Sequence, residues 1–66
     1  MSEEFSVEVA DGDIVVIIGA FRAAYYKTPN DPQLFLRYRT QTKDHALMAK
    51  AWHAANDKAR ELGWIV

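Results

Sequence analysis

The chain has 66 residues, of which 50% are hydrophobic and 26% are charged, and its formal net charge at pH 7 is −1. This composition is typical of a globular protein and excludes both intrinsic disorder and a strongly basic nucleic-acid-binding domain. A chain of this length has room for one small core. The sequence therefore predicts a single domain over residues 1–66, without an enclosed catalytic cavity.

The sequence contains no cysteine, which is unusual for a tiny secreted domain and typical of proteins in a reducing cytosol. Its N-terminal residues lack the pattern of a signal peptide, and its longest apolar run is far shorter than the ~20 residues of a membrane helix. We therefore expect a cytoplasmic protein that does not enter a membrane.

Charge is distributed unevenly along the chain. Residues 1–13 carry five acidic residues and no basic residue, whereas residues 21–43 carry five basic residues and one acidic residue. The acidic residues lack EF-hand spacing, so we interpret them as a solvated acidic segment and expect no metal site. The locally positive part of the protein is its middle.

Two strands joined by a tight turn are predicted first. Residues 5–9 alternate between apolar and polar side chains, and Asp11-Gly12 is a strong hairpin signal. Residues 14–18 are all β-branched, which favours a strand. The wider segment 14–27 also fits a helical stripe, but Gly19 disfavours a helix. We predict strands at 14–18 and 21–27, with a helix across the segment as the alternative.

The second half of the chain predicts one more strand and a helix. A loop containing Pro29 and Pro32 leads into an alternating strand at 34–40. A helix is predicted over 43–62, with Thr42 as its N-cap and Gly63 just after its end. Its apolar stripe comprises Met48, Ala51, Trp52, Ala55, Ala59 and Leu62. The predicted fold class is α+β, a four-stranded antiparallel β-meander followed by one C-terminal α-helix packed on the sheet.

Alternation along the third and fourth strands predicts a core face and a possible binding face. The core face comprises Phe21, Ala23, Tyr25, Leu34, Leu36 and Tyr38. The possible binding face comprises Arg22, Tyr26, Phe35, Arg37 and Arg39. Arginines among aromatic rings are used to bind single-stranded nucleic acid, because guanidinium groups neutralise phosphates and rings stack on bases. The same pattern is common on ordinary solvent-exposed sheets.

A core this small gains stability from oligomerisation, so we expect a homodimer. Dimerisation through the edge of the last hairpin or through the apolar tail Trp64, Ile65 and Val66 is the favoured hypothesis, although the tail can instead pack on its own sheet. The sequence thus predicts a protein-interaction module with itself as partner. Weak binding of single-stranded nucleic acid is the alternative.

Catalytic and metal-binding patterns are missing from the sequence. His45 and His53 are eight residues apart on the predicted helix, or about 12 Å, which is too far to share a metal ion. Neither Ser2 nor Ser6 lies near a base, and there is no phosphate-binding or dinucleotide-binding motif. We expect no enzymatic activity and no cofactor.

The C-terminal run AWHAANDKARELGWIV, residues 51–66, resembles the ending of a group of small uncharacterised bacterial proteins. That resemblance covers about the last quarter of the chain and implies no known activity. The predicted order of four strands and a helix is also similar to the transcriptional coactivators that bind single-stranded DNA as dimers. This second likeness is one of architecture, without a shared motif.

Overall fold

The computed structural model describes residues 4–65. Within that range, four strands form one antiparallel sheet in the order β1-β2-β3-β4, and one helix follows them. The elements are β1 (Phe5–Ala10), β2 (Asp13–Ile18), β3 (Phe21–Lys27), β4 (Leu34–Arg39) and α1 (His45–Glu61). The predicted fold class is confirmed, and the segment 14–27 forms two strands joined by a turn, not a helix.

Two-residue turns join the first three strands. Asp11 and Gly12 have φ angles of 53° and 81°, and the flanking residues Ala10 and Asp13 are paired. Positive φ at both central positions is the pattern of a type I′ turn, whose twist matches that of the strands. The predicted hairpin therefore forms at the predicted residues.

The core lies between α1 and the middle of the sheet. Ile14, Val16 and Ile18 on β2 are at most 2% exposed. The facing alanines of α1, Ala51, Ala55 and Ala59, are completely buried. Small side chains allow the helix backbone to lie close to the sheet, so a short chain can bury its β-branched residues in a thin core.

The helix covers the centre of the sheet better than its edges. It contacts β2 most and β1 less. On the helix side, Phe5 and Val9 of β1 are 48% and 45% exposed, and Leu36 of β4 is 47% exposed. One helix, about 10 Å wide, covers roughly two strands spaced about 4.8 Å apart, so a four-stranded sheet keeps exposed apolar residues along both edges.

Neighbouring residues of the chain cap both ends of α1: a side chain caps the N-terminal end, and backbone N–H groups cap the C-terminal end. The N-cap is Asp44, whose carboxylate accepts a hydrogen bond from the Leu47 N–H at 3.1 Å. The prediction of Thr42 as N-cap is therefore wrong. Thr42 instead accepts a hydrogen bond from the Asp44 N–H at 3.1 Å.

The C-terminal end agrees with the prediction. Gly63 has a φ of 78°. Its N–H donates to the Arg60 carbonyl, and the Trp64 N–H donates to the Ala59 carbonyl. This pair of bonds is a Schellman motif, in which a left-handed residue satisfies the last helical carbonyls.

A β-bulge in the last hairpin changes the predicted faces. Tyr25 pairs with Leu36, but the preceding residue, Ala24, pairs with Tyr38, so Arg37 is an extra residue in β4. An extra residue reverses the alternation beyond it. Tyr38 therefore lies on the side of Ala24, away from the helix, and is 49% exposed. Its predicted place in the core is wrong.

Candidate interaction surface

The sheet surface opposite α1 is the candidate site, and we call it the open face. Its members follow from strand alternation and from the cross-strand pairs. They include Glu8, Asp13, Val15, Ile17, Arg22, Ala24, Tyr26, Phe35, Arg37 and Tyr38. None of the other elements described within residues 4–65 lies over this surface.

The centre of the open face is apolar and closely packed. Val15 and Ala24 are cross-strand neighbours and are 9% and 1% exposed. Ile17, Tyr26 and Phe35 around them are half-buried. Larger neighbouring side chains therefore shield the small residues in the middle, and the exposed Tyr38 ring borders them.

A charged and aromatic cluster lies beside this centre. Arg37 forms a two-pronged ion pair with Asp13, with an Nε–Oδ2 distance of 2.6 Å and an Nη2–Oδ1 distance of 3.2 Å. Its guanidinium carbon is 4.5 Å from the centroid of the Tyr26 ring. The Tyr26 ring in turn contacts the Phe35 ring, and the two ring centroids are 5.6 Å apart. The bulge thus directs Arg37 across β3 towards β2.

The structure brings together four of the five residues predicted for the binding face. Arg22, Tyr26, Phe35 and Arg37 lie on the open face. Arg39 pairs with Ala23, which belongs to the core side of the sheet, so its predicted membership is wrong. The physical reason is the bulge at Arg37, which moves every later residue of β4 to the opposite side.

This placement changes the electrostatics of the predicted site. Asp13 cancels the charge of Arg37 within the same face, and Arg39 adds its charge on the other side of the sheet. Within residues 4–65, Arg22 is the predicted cation that lies on the open face without an acidic partner. A phosphate backbone therefore meets less positive charge than the sequence predicted.

Sequence reasoning missed Tyr38, Val15 and Ile17 as members of this surface. Val15 and Ile17 belong to a continuous β-branched run, which does not reveal whether both sides of a strand are buried. Tyr38 changes sides because of the bulge, and the alternating run 34–39 contains no glycine or proline that would indicate one.

The C-terminal tail packs on its own domain. Trp64 and Ile65 are half-buried and lie against the core cluster. Val66, the third predicted tail residue, lies outside the described residues. Intramolecular packing was the simpler of the two predicted outcomes for the tail, and Trp64 and Ile65 agree with it.

Groups that could support chemistry are dispersed. Among residues 4–65, no three His, Asp or Glu side chains lie close enough together to hold a metal ion. Asp57 pairs with Arg60 at 3.3 Å, and His53 is exposed on the helix surface. In the same part of the chain, no helix is long and apolar enough to cross a membrane.

Comparisons with known proteins add no relationship to this picture. No protein-family model matches the chain, and neither a curated protein nor a solved structure matches it. The resemblance of residues 51–66 to small bacterial proteins therefore stays a prediction, and the function has to be argued from the surface itself.

Proposed function

We propose that this chain is a non-enzymatic protein-interaction module that acts as a homodimer through its open face. The observation that carries this proposal is the apolar surface on the sheet side that α1 leaves uncovered. It is formed by the half-buried Ile17, Tyr26 and Phe35 and the exposed Tyr38, around the shielded Val15 and Ala24. Burying this surface against a second copy would give the thin domain a second apolar layer. The lack of cysteine agrees with a cytoplasmic setting.

Charge on the open face favours one relative orientation of the two copies. Glu8 lies on the outermost strand at one side, and Arg22 lies towards the other side on β3. A two-fold axis parallel to the strands places β1 of one copy over β4 of the other. Glu8 then approaches the partner's Arg22, whereas an axis across the strands would bring like charges together.

The size of the surface sets the expected affinity. Four strands at ~4.8 Å spacing and six residues at ~3.3 Å make a face of about 400 Å² before side-chain relief is counted. Two such faces bury an area near or below the lower limit of about 1,200 Å² for stable interfaces. We therefore expect a weak dimer with a dissociation constant in the micromolar range.

Sedimentation velocity over a range of concentrations tests this proposal. The wild-type mass should rise towards that of a dimer, and Tyr38→Lys should remain monomeric because it places a charge in the apolar interface. The matched control is Leu36→Lys, since Leu36 is 47% exposed on the helix side of the same strand and Tyr38 is 49% exposed on the open face. A wild-type mass that stays monomeric at millimolar concentration, or an equal loss in both variants, would refute the proposal.

Single-stranded nucleic acid is the second candidate ligand for the open face. Arg22 and the Tyr26–Phe35 ring pair supply one cation and two adjacent aromatic groups there. Such binding should weaken steeply with salt and disappear in Arg22→Ala. Less support exists for it than for the dimer because Arg37 is already paired with Asp13. If a labelled oligonucleotide binds at low salt and dissociates the dimer, nucleic-acid binding would become the better-supported function.

A further inference from the structure

The two edges of the sheet differ in how they are protected against pairing with another strand. In β4 the bulge interrupts the ladder, and the edge carries Arg37 and Arg39. Bulges and charges are features that prevent edge strands from pairing. The other edge, β1, has six residues in continuous register with β2, without a bulge, a proline or a basic residue.

Backbone groups of β1 point away from the sheet at alternate residues. The Gly19 N–H donates to the Glu4 carbonyl at 2.7 Å. Because bonded pairs recur every second residue in an antiparallel ladder, the N–H and C=O groups of Phe5, Val7 and Val9 face outward. Within residues 4–65, no strand pairs with them.

The side chains of these same residues leave apolar surface beside the helix. Phe5 and Val9 are 48% and 45% exposed. An open cleft of about 290 Å³ lies between β1 and α1. Its lining comprises Phe5, Val7, Ala54, Asp57, Lys58 and Glu61. An added strand would place every second side chain over this cleft.

Acidic residues on and beside β1 determine which kind of added strand complements this edge. Glu4 and Glu8 are exposed, and neither has a cationic partner among residues 4–65. Two lysines lie on the helix side of this edge: Lys58 pairs with Glu61 at 2.7 Å, and the Lys50 ammonium is 5.4 Å from the centroid of the Phe5 ring. The edge therefore complements a segment whose apolar residues alternate with basic ones, because the basic residues would lie beside Glu8 on the other side of the added strand.

We propose that β1 is a docking edge for an extended peptide segment of a partner protein, in which aliphatic residues alternate with lysine or arginine. The segment pairs with the outward backbone groups of Phe5, Val7 and Val9 and covers the cleft beside α1. This site lies along the β1 edge and shares Glu8 with the open face, so the peptide and the proposed dimer overlap at that one side chain.

The test uses a capped heptapeptide in which lysine and valine alternate, titrated into the full chain and followed by amide NMR. We expect shifts and slower hydrogen exchange at the amides of Phe5, Val7 and Val9. The same peptide with glutamate in place of lysine should bind about tenfold more weakly, because it repels Glu4 and Glu8. Repeating the titration in the monomeric Tyr38→Lys variant separates this site from the dimer.

Val9→Lys is the decisive variant, since an inward lysine on an edge strand opposes strand addition, and binding should weaken about tenfold. Val9 is exposed, so the domain should still fold. Leu36→Lys is the matched control on the opposite edge and should bind like the wild type. No protection of the β1 amides at millimolar peptide, equal affinity for both peptides, or protection at β4 instead would overturn the proposal.

Discussion

Tyr25 combines a buried ring with a titratable hydroxyl. The residue is 4% exposed, and its ring centroid is 5.6 Å from that of Trp52. Burial raises the pKa of its phenol above the ordinary value of 10.0, and the nearby Arg39 cation offsets part of this rise. Arg39 can act on Tyr25 because the bulge in β4 places Arg39 on the helix side of the sheet, where Tyr25 lies.

The raised pKa of Tyr25 predicts a loss of stability in alkali. The folded state holds the proton more tightly than the unfolded chain. The stabilisation is complete below pH 10 and is lost as pH rises through the folded-state pKa. Tyr25→Phe should reduce the fall in unfolding free energy above pH 10, measured by urea unfolding. The control Tyr38→Phe removes an exposed phenol, and an equal effect of both variants would contradict this prediction.

At the residue scale, the sequence predicted the site in part. Arg22, Tyr26 and Phe35 precede or lie outside the bulge, so simple alternation placed them correctly. Tyr38 and Arg39 follow the bulge, so each lies on the side opposite to its prediction: Tyr38 is on the open face and Arg39 is on the helix side. A bulge depends on twist and on which residues pair across strands, and these tertiary features leave little signal in six residues such as Leu34–Arg39.

At the element scale, turn and helix-end chemistry explains which boundaries were predictable. Gly12 and Gly63 adopt positive φ where the sequence pattern required it. The helix start was predicted at residue 43, but α1 begins at His45. Thr42 and Asp44 are both good N-cap residues two positions apart, and propensity does not distinguish them. The choice depends on how the chain returns from β4 to the core.

The two capping candidates predict unequal costs on substitution. Asp44 accepts from the Leu47 N–H, one of the first helical donors, whereas Thr42 accepts from the N–H of Asp44 itself. Asp44→Ala should lower the unfolding free energy by about 1 kcal/mol, and Thr42→Ala by less. Chemical denaturation of both variants measures the difference. A larger loss in Thr42→Ala would place the cap where the sequence predicted it.

At the scale of the whole molecule, the meander and its helix follow from local patterns, but the coverage of the sheet does not. Periodicity predicted an apolar stripe on α1. The structure completely buries its three alanines, Ala51, Ala55 and Ala59, whereas two of its larger members, Trp52 and Leu62, are 38% and 39% exposed. Which strands the helix covers depends on the short connection from β4 back across the sheet. Sequence patterns therefore predicted the two layers and most of the residues of the open face, while the exposed β1 edge and the bulge in β4 required the structure.

Stability of the whole molecule should depend on protein concentration if the open faces associate. A domain of this size has a net stability of only about 3–5 kcal/mol, and dimer formation adds to it by mass action. At a protein concentration a hundredfold above the dissociation constant, dimer formation adds roughly 2.7 kcal/mol to the free energy of unfolding. In a small domain each added kcal/mol raises Tm by about 4–8 °C, so the increase should be on the order of 10–20 °C.

Calorimetry from about 10 μM to about 1 mM measures this linkage, because that range spans a micromolar dissociation constant. The wild type and Leu36→Lys should both show a Tm that rises with concentration, whereas Tyr38→Lys should show a constant Tm. If Tm rises equally with concentration in the wild type and Leu36→Lys, added charge on β4 does not explain the constant Tm of Tyr38→Lys. The concentration dependence would then be assigned to the open face. A wild-type Tm that stays the same across the range would mean that the apolar centre around Val15 and Ala24 is stable without a second copy.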